Sequence, residues 1–337
     1  MDGNILKPMP TVIDIYEYFL ASGANGKTVF EMLEKLCPDK LMIEKDDEGM
    51  SMMDYGLVIE ADKICSKMCE DGFLLKTKSE VFVGSNKYIG IDLRGGNSRE
   101  VLEDFSFDCK YRGFSYTRDL YLDSVRPIVG TNMNGDPDSG TVYKVSPYVY
   151  VTAKHCVTDL KDFNVLNAED KPIKLKEVVL SENEDLDIAL IVTETPLSGR
   201  DFHLSEPHVL EDIMVMGYPP ISGMLPVLIS EKGQMVAAMK STIGTNIGET
   251  KDYLRNLDCF LISARVKGGS SGSPVINEFG KVCGIVVSLP NDIKNPDRID
   301  LMGYGACLPS IYIEEMLRGE NVRKTALVLN EKGYRII

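Results

Sequence analysis

After residue 115 the chain consists of short apolar runs separated by turn-forming residues, and this texture constrains its fold more than any other feature. Many short strands at regular spacing are typical of β-barrels and β-sandwiches. We predict strands at residues 142–145, 148–152, 164–167, 173–180, 188–193, 213–217, 225–230, 236–239, 259–264, 274–277 and 282–288, and a closing helix at about 310–318. This part of the chain is therefore expected to be all-β.

The first hundred residues have a different pattern. Apolar faces with helical spacing predict two helices within 11–36 and a third over 52–70, and short strands are predicted at 73–77, 80–84 and 87–91. Three helices followed by a β-hairpin resemble a winged-helix domain. The run Arg-Gly-Gly-Asn-Ser at 94–98 is a candidate linker to the rest of the chain. A 337-residue chain is long enough for two such domains.

The charge of the N-terminal part argues against nucleic acid as its partner. Residues 1–100 contain 12 lysines and arginines against 18 aspartates and glutamates, a net charge of 12 − 18 = −6. The whole chain carries −14. DNA-binding domains need a positive surface against the phosphates. We therefore expect residues 1–97 to contact a protein partner or activator rather than DNA.

Compartment and cofactors are inferred from what the sequence lacks. No basic segment followed by an apolar one opens the chain, so no signal peptide is expected, and no apolar run has the roughly 20 residues of a membrane helix. The eight cysteines are scattered, which favours free thiols in a cytoplasmic protein. Cys65 and Cys69 have no second Cys/His pair at zinc spacing, so we expect neither a metal nor a cofactor.

Two polar residues stand where predicted strands begin or end. His155 follows the strand in Val-Thr-Ala-Lys-His-Cys at 151–156, where it could be held at the rim of a barrel. Asp187 opens the apolar run Asp-Ile-Ala-Leu-Ile-Val at 187–192. A carboxylate drawn towards the interior needs a hydrogen-bond donor. An imidazole would satisfy it, and the carboxylate would set the tautomer of the ring.

The third pattern is Gly-Gly-Ser-Ser-Gly-Ser-Pro-Val at 268–275. A nucleophilic serine needs a tight turn that exposes its oxygen, and glycines at 269 and 272 permit such a turn. The proline and the strand that follow indicate a fixed turn rather than a flexible linker.

Together the three patterns resemble the trypsin-like (chymotrypsin-fold) serine peptidases, in the family's chain order. The resemblance covers about 118–318 and is nearest to the HtrA/Deg and glutamyl-endopeptidase branches, through Gly-Tyr-Pro at 217–219 and Gly-Tyr-Gly-Ala-Cys-Leu-Pro at 303–309. It implies an all-β double antiparallel β-barrel, preceded here by the small α+β winged-helix-like domain. The expected domains are a recognition or regulatory domain at 1–97, a connector at 98–117, the peptidase domain at 118–318 and a tail at 319–337.

The resemblance also implies roles for individual residues. Ser271 would be the nucleophile, His155 the general base and then acid, and Asp187 the residue that orients the imidazole. The backbone N–H groups of Gly269 and Ser271 would form the oxyanion hole. The substrate would be a protein or peptide.

Several departures from the family pattern bear on control of the activity. Cys156 matches a cysteine that is disulfide-bonded in secreted trypsins, but no cysteine lies between 109 and 156 to pair with it. Ser270 stands where zymogen-activated members have aspartate, so activation by a newly cut N-terminus is not expected. Fewer than 20 residues follow the last predicted helix, so the PDZ domain of HtrA proteins is not expected. Control would then come from the N-terminal domain.

The specificity pocket S1 is expected near Arg265 and Lys267 on one wall and Val287, Ser288 and Leu289 on another. A cation in this pocket would favour an acidic P1 residue. Alternatively, the charged side chains point to solvent and the pocket is small and apolar. No acidic residue is present in these segments to hold a P1 lysine or arginine.

Two other functions remain open at this stage. The chain could be a catalytically silent, trypsin-like binding module, or a DNA-binding regulator that cleaves itself. By analogy, peptidases with an accessory sensor domain occur in bacterial stress and phage-defence settings.

Overall fold

The computed structural model describes residues 9–45, 51–91, 105–219, 225–242, 256–266, 269–288 and 304–337. The chain divides into two compact units, and the boundary lies between Gly113 and Phe114. The linker predicted at 94–98 lies outside the described residues, and the division falls inside the segment expected to be a connector.

The N-terminal unit is α+β, as predicted. Its helices are α1 (Val12–Leu20), α2 (Val29–Leu36), α3 (Pro38–Leu41), α4 (Tyr55–Glu70) and α5 (Ser106–Arg112). Its strands are β1 (Lys27–Thr28), β2 (Met42–Lys45), β3 (Ser51–Met53), β4 (Leu74–Lys78) and β5 (Lys87–Gly90). Strands β1, β5 and β4 form an antiparallel sheet in that order, and β2 pairs with β3.

Capping and burial explain the helices of this unit. Thr11 and Thr28 cap α1 and α2, each in a capping box with an acidic residue three positions later. The apolar faces of α1, α2 and α4 bury a common core, which Phe107 and Tyr111 of α5 join. Helix α5, in the segment expected to be a connector, therefore belongs to the core of the first unit.

The second unit begins with α6 (Phe114–Leu120) and a sheet of nine strands. In chain order these strands are β6 (Val125–Asn132), β7 (Pro137–Ser146), β8 (Val149–Thr152), β9 (Leu160–Val165), β10 (Leu175–Ser181), β11 (Ala189–Thr193), β18 (Val322–Thr325), β19 (Leu327–Leu329) and β20 (Tyr334–Ile336). Their order in the sheet is β18-β10-β11-β8-β7-β6-β9-β20-β19. The sheet curls into a nearly closed barrel around Ile128, Tyr150, Phe163 and Ile191. A short helix, α7 (His155–Thr158), follows β8.

The remaining strands form a second, closed barrel. These are β12 (Asp212–Gly217), β13 (Ile229–Thr242), β14 (Asn256–Ile262), β15 (Pro274–Asn277), β16 (Val282–Ser288) and β17 (Gly305–Pro309), and helix α8 (Ile311–Leu317) follows them. Ile213, Met235, Phe260 and Val286 fill its interior. The predicted double antiparallel β-barrel is confirmed. The segment expected to be a tail, 319–337, instead supplies β18–β20 to the first barrel.

Candidate active site

The end of β8 and the start of β11 bring His155 and Asp187 into direct contact. The two strands are antiparallel with Ala189 opposite Thr152, so Asp187 lies alongside the first residues of α7. The Nδ1 atom of His155 is 2.7 Å from Oδ2 of Asp187. The backbone N–H of His155 donates to Oδ1 of the same carboxylate at 2.9 Å. Both carboxylate oxygens are thus held by a single residue.

This contact sets the electrostatics of the histidine. Burial alone disfavours the imidazolium and lowers the pKa of His155. Although burial is the largest single effect, the hydrogen bonds and charges of Asp187 and Cys156 together outweigh it, so the pKa of His155 is raised above its ordinary value of 6.5. The side chains of His155 and Asp187 remain 36% and 27% exposed, which leaves the ring accessible on the side away from the carboxylate.

The serine motif forms a tight turn in which Gly269 and Gly272 both adopt positive φ, +81° and +83°. Ser273 N–H donates to the Ser270 carbonyl at 3.0 Å and closes the turn. Gly272 cannot be replaced without strain. A Cβ there would collide with the carbonyl oxygen of Thr141, and it would come within 2.5 Å of Thr152 Oγ1.

Contacts to both barrels fix the position of this turn. The N–H of Gly272 donates to the Val286 carbonyl of the second barrel at 2.8 Å. On the side of the first barrel, the N–H of Thr141 donates to the Ser271 carbonyl at 2.9 Å. The thiol of Cys156 also faces that carbonyl, at 3.7 Å. Ser271 is therefore held next to the residue that follows His155.

Thr141 is a positioning residue that sequence reasoning missed. It is fully buried, and its hydroxyl donates to the Gly269 carbonyl at 3.3 Å and accepts the N–H of Tyr218 at 2.9 Å. Its own carbonyl accepts the hydroxyl of Thr152 at 2.7 Å. A threonine in a strand carries no sequence signal for such a role, because the two partners of its hydroxyl lie more than 70 residues away along the chain.

The two neighbouring serines differ in exposure. Ser270 is buried, whereas Ser271 is half-buried. Among the residues that the structure describes, the backbone N–H of Ser271 donates to no acceptor. This N–H is one of the two donors predicted for an oxyanion hole.

The residues predicted for the S1 pocket are only partly described. Arg265 is exposed, and Val287 is 4% exposed on β16. Lys267 and Leu289 lie outside the described residues, as does the side chain of Ser288. In the described part of the chain, no group of three or more histidine, cysteine, aspartate or glutamate side chains could hold a metal ion. Within the same ranges no helix is long and apolar enough to cross a membrane.

In a comparison with protein families, residues 138–285 match the family model described as trypsin-like peptidase domain. His155, Asp187 and Ser271 all fall inside this segment. The curated serine proteases called HtrA-like from Staphylococcus aureus strains USA300 and COL are each 28% identical over 163 residues, which are 45% of this chain and 20% of theirs. The chain thus matches about a fifth of the length of these relatives.

Solved structures resemble the chain more distantly. The active form of the Rv3671c protease from M. tuberculosis is 23% identical, with a TM-score of 0.49 over 60% of this chain and 82% of that one. The HtrA-type protease AlgW with a tripeptide is 15% identical, with a TM-score of 0.45 over 61% of this chain and 62% of that one. Residues 138–285 are thus similar to trypsin-like peptidase domains, and the double antiparallel β-barrel is the fold that this similarity implies.

Proposed function

We propose that this chain is a serine endopeptidase that cleaves proteins or peptides through an acyl-enzyme. The observation that carries the proposal is the hydrogen bond between Nδ1 of His155 and Oδ2 of Asp187, beside a serine turn held to both barrels. Such a pair fixes the imidazole so that its other nitrogen, Nε2, can accept the proton of a serine hydroxyl.

Each residue has a distinct task in the proposed reaction. Ser271 Oγ attacks the carbonyl carbon of the scissile bond while His155 takes the hydroxyl proton. Asp187 stabilises the resulting imidazolium. The N–H groups of Gly269 and Ser271 bind the oxyanion. His155 then protonates the leaving amine, and it activates the water that hydrolyses the acyl-enzyme.

The test is labelling with a fluorophosphonate probe, which reacts with activated serines. We expect mass spectrometry to locate the label on Ser271, and Ser271→Ala to abolish it and to lower kcat by roughly four to six orders of magnitude. Ser270→Ala is the matched control, because it removes the neighbouring hydroxyl. Loss of the label in Ser270→Ala with its retention in Ser271→Ala would contradict the assignment. A folded chain that takes no label would instead support a binding module.

We further propose that the N-terminal unit, with its winged-helix-like pattern, recognises a protein partner that regulates the peptidase. The net charge of −6 over residues 1–100 supports a protein rather than DNA. The test is an electrophoretic mobility-shift assay with the isolated unit. A salt-dependent shift in the mobility of DNA would contradict the choice of a protein partner.

We propose a cytoplasmic location because the cysteines do not form disulfides. All eight are thiols rather than members of disulfides, and all but Cys69 are buried. Fractionation of cells that express the tagged chain is the test, and recovery outside the cytoplasm would overturn the proposal.

For substrate preference we propose a small apolar P1 residue rather than an acidic one. Exposed Arg265 and buried Val287 support an apolar pocket. In a library of substrates that vary at P1, we expect a preference for alanine, valine or leucine that Arg265→Ala leaves unchanged. A preference for aspartate or glutamate that disappears in Arg265→Ala would overturn this proposal.

A further inference from the structure

A cavity of about 340 Å³ opens on the first barrel. It lies where β8 begins and β11 ends, which is the end of these strands opposite the proposed active site. Tyr150 at the start of β8 lines it, as do residues 195–198 after the end of β11 and residues 172–174 before β10. His155 follows the other end of β8, and Asp187 precedes β11. The cavity is thus separate from the proposed catalytic residues, and its volume is in the range of small-ligand sites.

The charge of the lining is opposite to that of the chain. Arg126 and Lys174 both line the cavity, and no aspartate or glutamate is among its described lining residues. Asn167, Thr195 and Ser198 add polar groups. Two cations with no carboxylate among the lining residues stand out on a chain of net charge −14.

Arg126 is the buried member of this pair. It is 5% exposed, and its Nη2 donates to Oδ1 of Asp123 at 2.8 Å. It also lies beside two buried phenols. Burial raises the pKa of Tyr150 to about 12 and also raises the pKa of Tyr218, while the charge of Arg126 and its hydrogen bonds to both side chains act against these shifts. A guanidinium has five N–H donors. Its partners are one largely exposed aspartate and the two phenols, so the five donors outnumber these three partners and leave capacity for a further acceptor.

Hydrogen bonds hold the walls of the cavity in place. The buried ammonium of Lys144 donates to the carbonyls of Leu197 at 3.0 Å and Gly199 at 2.7 Å, which fastens the segment after β11. On the facing loop, Oδ1 of Asn167 accepts the N–H groups of Glu169 and Lys171 at 2.9 and 3.0 Å. A cavity with fixed walls loses little conformational freedom when a ligand binds.

We propose that this cavity is a binding site for a carboxylate, from a small organic acid or from the acidic side chain of a peptide. The planar guanidinium of Arg126 matches a carboxylate, and the ammonium of Lys174 adds a second positive charge at the mouth. The site extends the proposed function with a ligand that is not the cleaved peptide bond, and it does not require the chain to be active.

The experiment is isothermal titration calorimetry on the full chain with Ser271→Ala, which prevents self-cleavage. The probes are succinate, N-acetylglutamate amide, inorganic phosphate and the neutral succinamide. We expect both carboxylates to bind more tightly than phosphate and succinamide to give no heat. The tighter of the two carboxylates identifies the source, a free acid or a peptide side chain.

Three variants locate the binding. Arg126→Lys keeps the charge but loses the planar fork and should weaken carboxylate binding about 10-fold or more. Lys174→Gln, at an exposed residue that tolerates change, should weaken it about 3-fold or more. Lys171→Gln is the matched control, because Lys171 lies on the same loop, pairs with Glu169 and does not line the cavity. No binding of either carboxylate, tighter binding of phosphate, or equal affinity in Lys174→Gln and Lys171→Gln would overturn the proposal.

Discussion

Among single residues, His155 has the environment with the clearest consequence for the proposed catalysis. A general base must be neutral to accept a proton, and the hydrogen bond that His155 donates to Asp187, together with Cys156, holds the pKa of His155 above 6.5. The acidic limb of the rate profile should therefore lie at higher pH than for an isolated imidazole. The same shift means that protonated His155 stabilises the folded chain fully below pH 6.5. This contribution is lost as the pH rises through the folded-state pKa.

Nuclear magnetic resonance can measure this shift directly, because the chain has only three histidines. In the Ser271→Ala chain we expect the His155 ring to titrate above pH 6.5. In Ser271→Ala/Asp187→Asn the midpoint should fall, since burial remains and the carboxylate is gone. His155→Gln identifies the signal. An unchanged midpoint in Asp187→Asn would contradict the role given to Asp187.

A second prediction for a single residue concerns the effect of replacing Gly272 on stability. Gly272→Ala places a Cβ against the Thr141 carbonyl at a φ of +83°. We expect it to lower the free energy of unfolding by on the order of 3–5 kcal/mol, as large steric changes do, and to abolish probe labelling. The measurement is chemical denaturation.

Gly319→Ala is the matched control, because Gly319 has a φ of +79° with no atom within 4 Å of the added Cβ. This variant should lower the free energy of unfolding by only about 1–2 kcal/mol, which is the cost of holding a non-glycine residue at positive φ. Equal losses in the two variants would mean that the crowding around Gly272 has no effect.

Among the elements, the strands of 319–337 are the part that sequence patterns could not predict. Strand β18 is Val-Arg-Lys-Thr, which has no apolar run, and it is a strand because β10 lies beside it. Residues 80–84 show the opposite case. Their valines and phenylalanine predict a strand, yet they form an exposed turn between β4 and β5, with Val81 94% exposed.

Strands buried by their own apolar runs were predictable, since 274–277 and 282–288 match β15 and β16 residue for residue. Long-range pairing decides the others. Strand β13 is continuous through Gly233, where two strands were predicted, because the glycine lets Ala264 of the neighbouring segment approach closely. The pairing of His155 with Asp187 likewise depends on strand register, but the three motifs in family order had pointed to both residues.

Tyr334 tests the contribution of the last strand, β20. Its hydroxyl accepts the N–H of Leu175 at 3.0 Å in a buried position. Tyr334→Phe leaves that donor without its partner and should lower the free energy of unfolding by about 1–3 kcal/mol. Tyr148→Phe, at a half-exposed ring, should change it by less than about 0.5 kcal/mol. Equal stabilities of the two variants in urea unfolding would show that β20 does not support the first barrel.

On the scale of the whole molecule, each unit has its own apolar core. Residues 114–337 should therefore fold alone, take the fluorophosphonate label and hydrolyse a small peptide ester at the rate of the full chain. On protein substrates the fragment and the full chain should differ if the first unit regulates access. A single cooperative thermal transition would establish folding of the fragment. Equal rates on every protein substrate would contradict a regulatory role.

The place of β18 and β20 in the first sheet has a consequence for biosynthesis. A ribosome adds roughly 5–20 residues per second, so the serine turn leaves it seconds before residues 322–336 do. Until those residues emerge, β10 and β9 lack the neighbours that complete the sheet. A nascent or prematurely terminated chain can therefore contain His155, Asp187 and Ser271 and still lack the finished scaffold that aligns them. The order of synthesis delays completion of this scaffold until residues 322–336 have emerged.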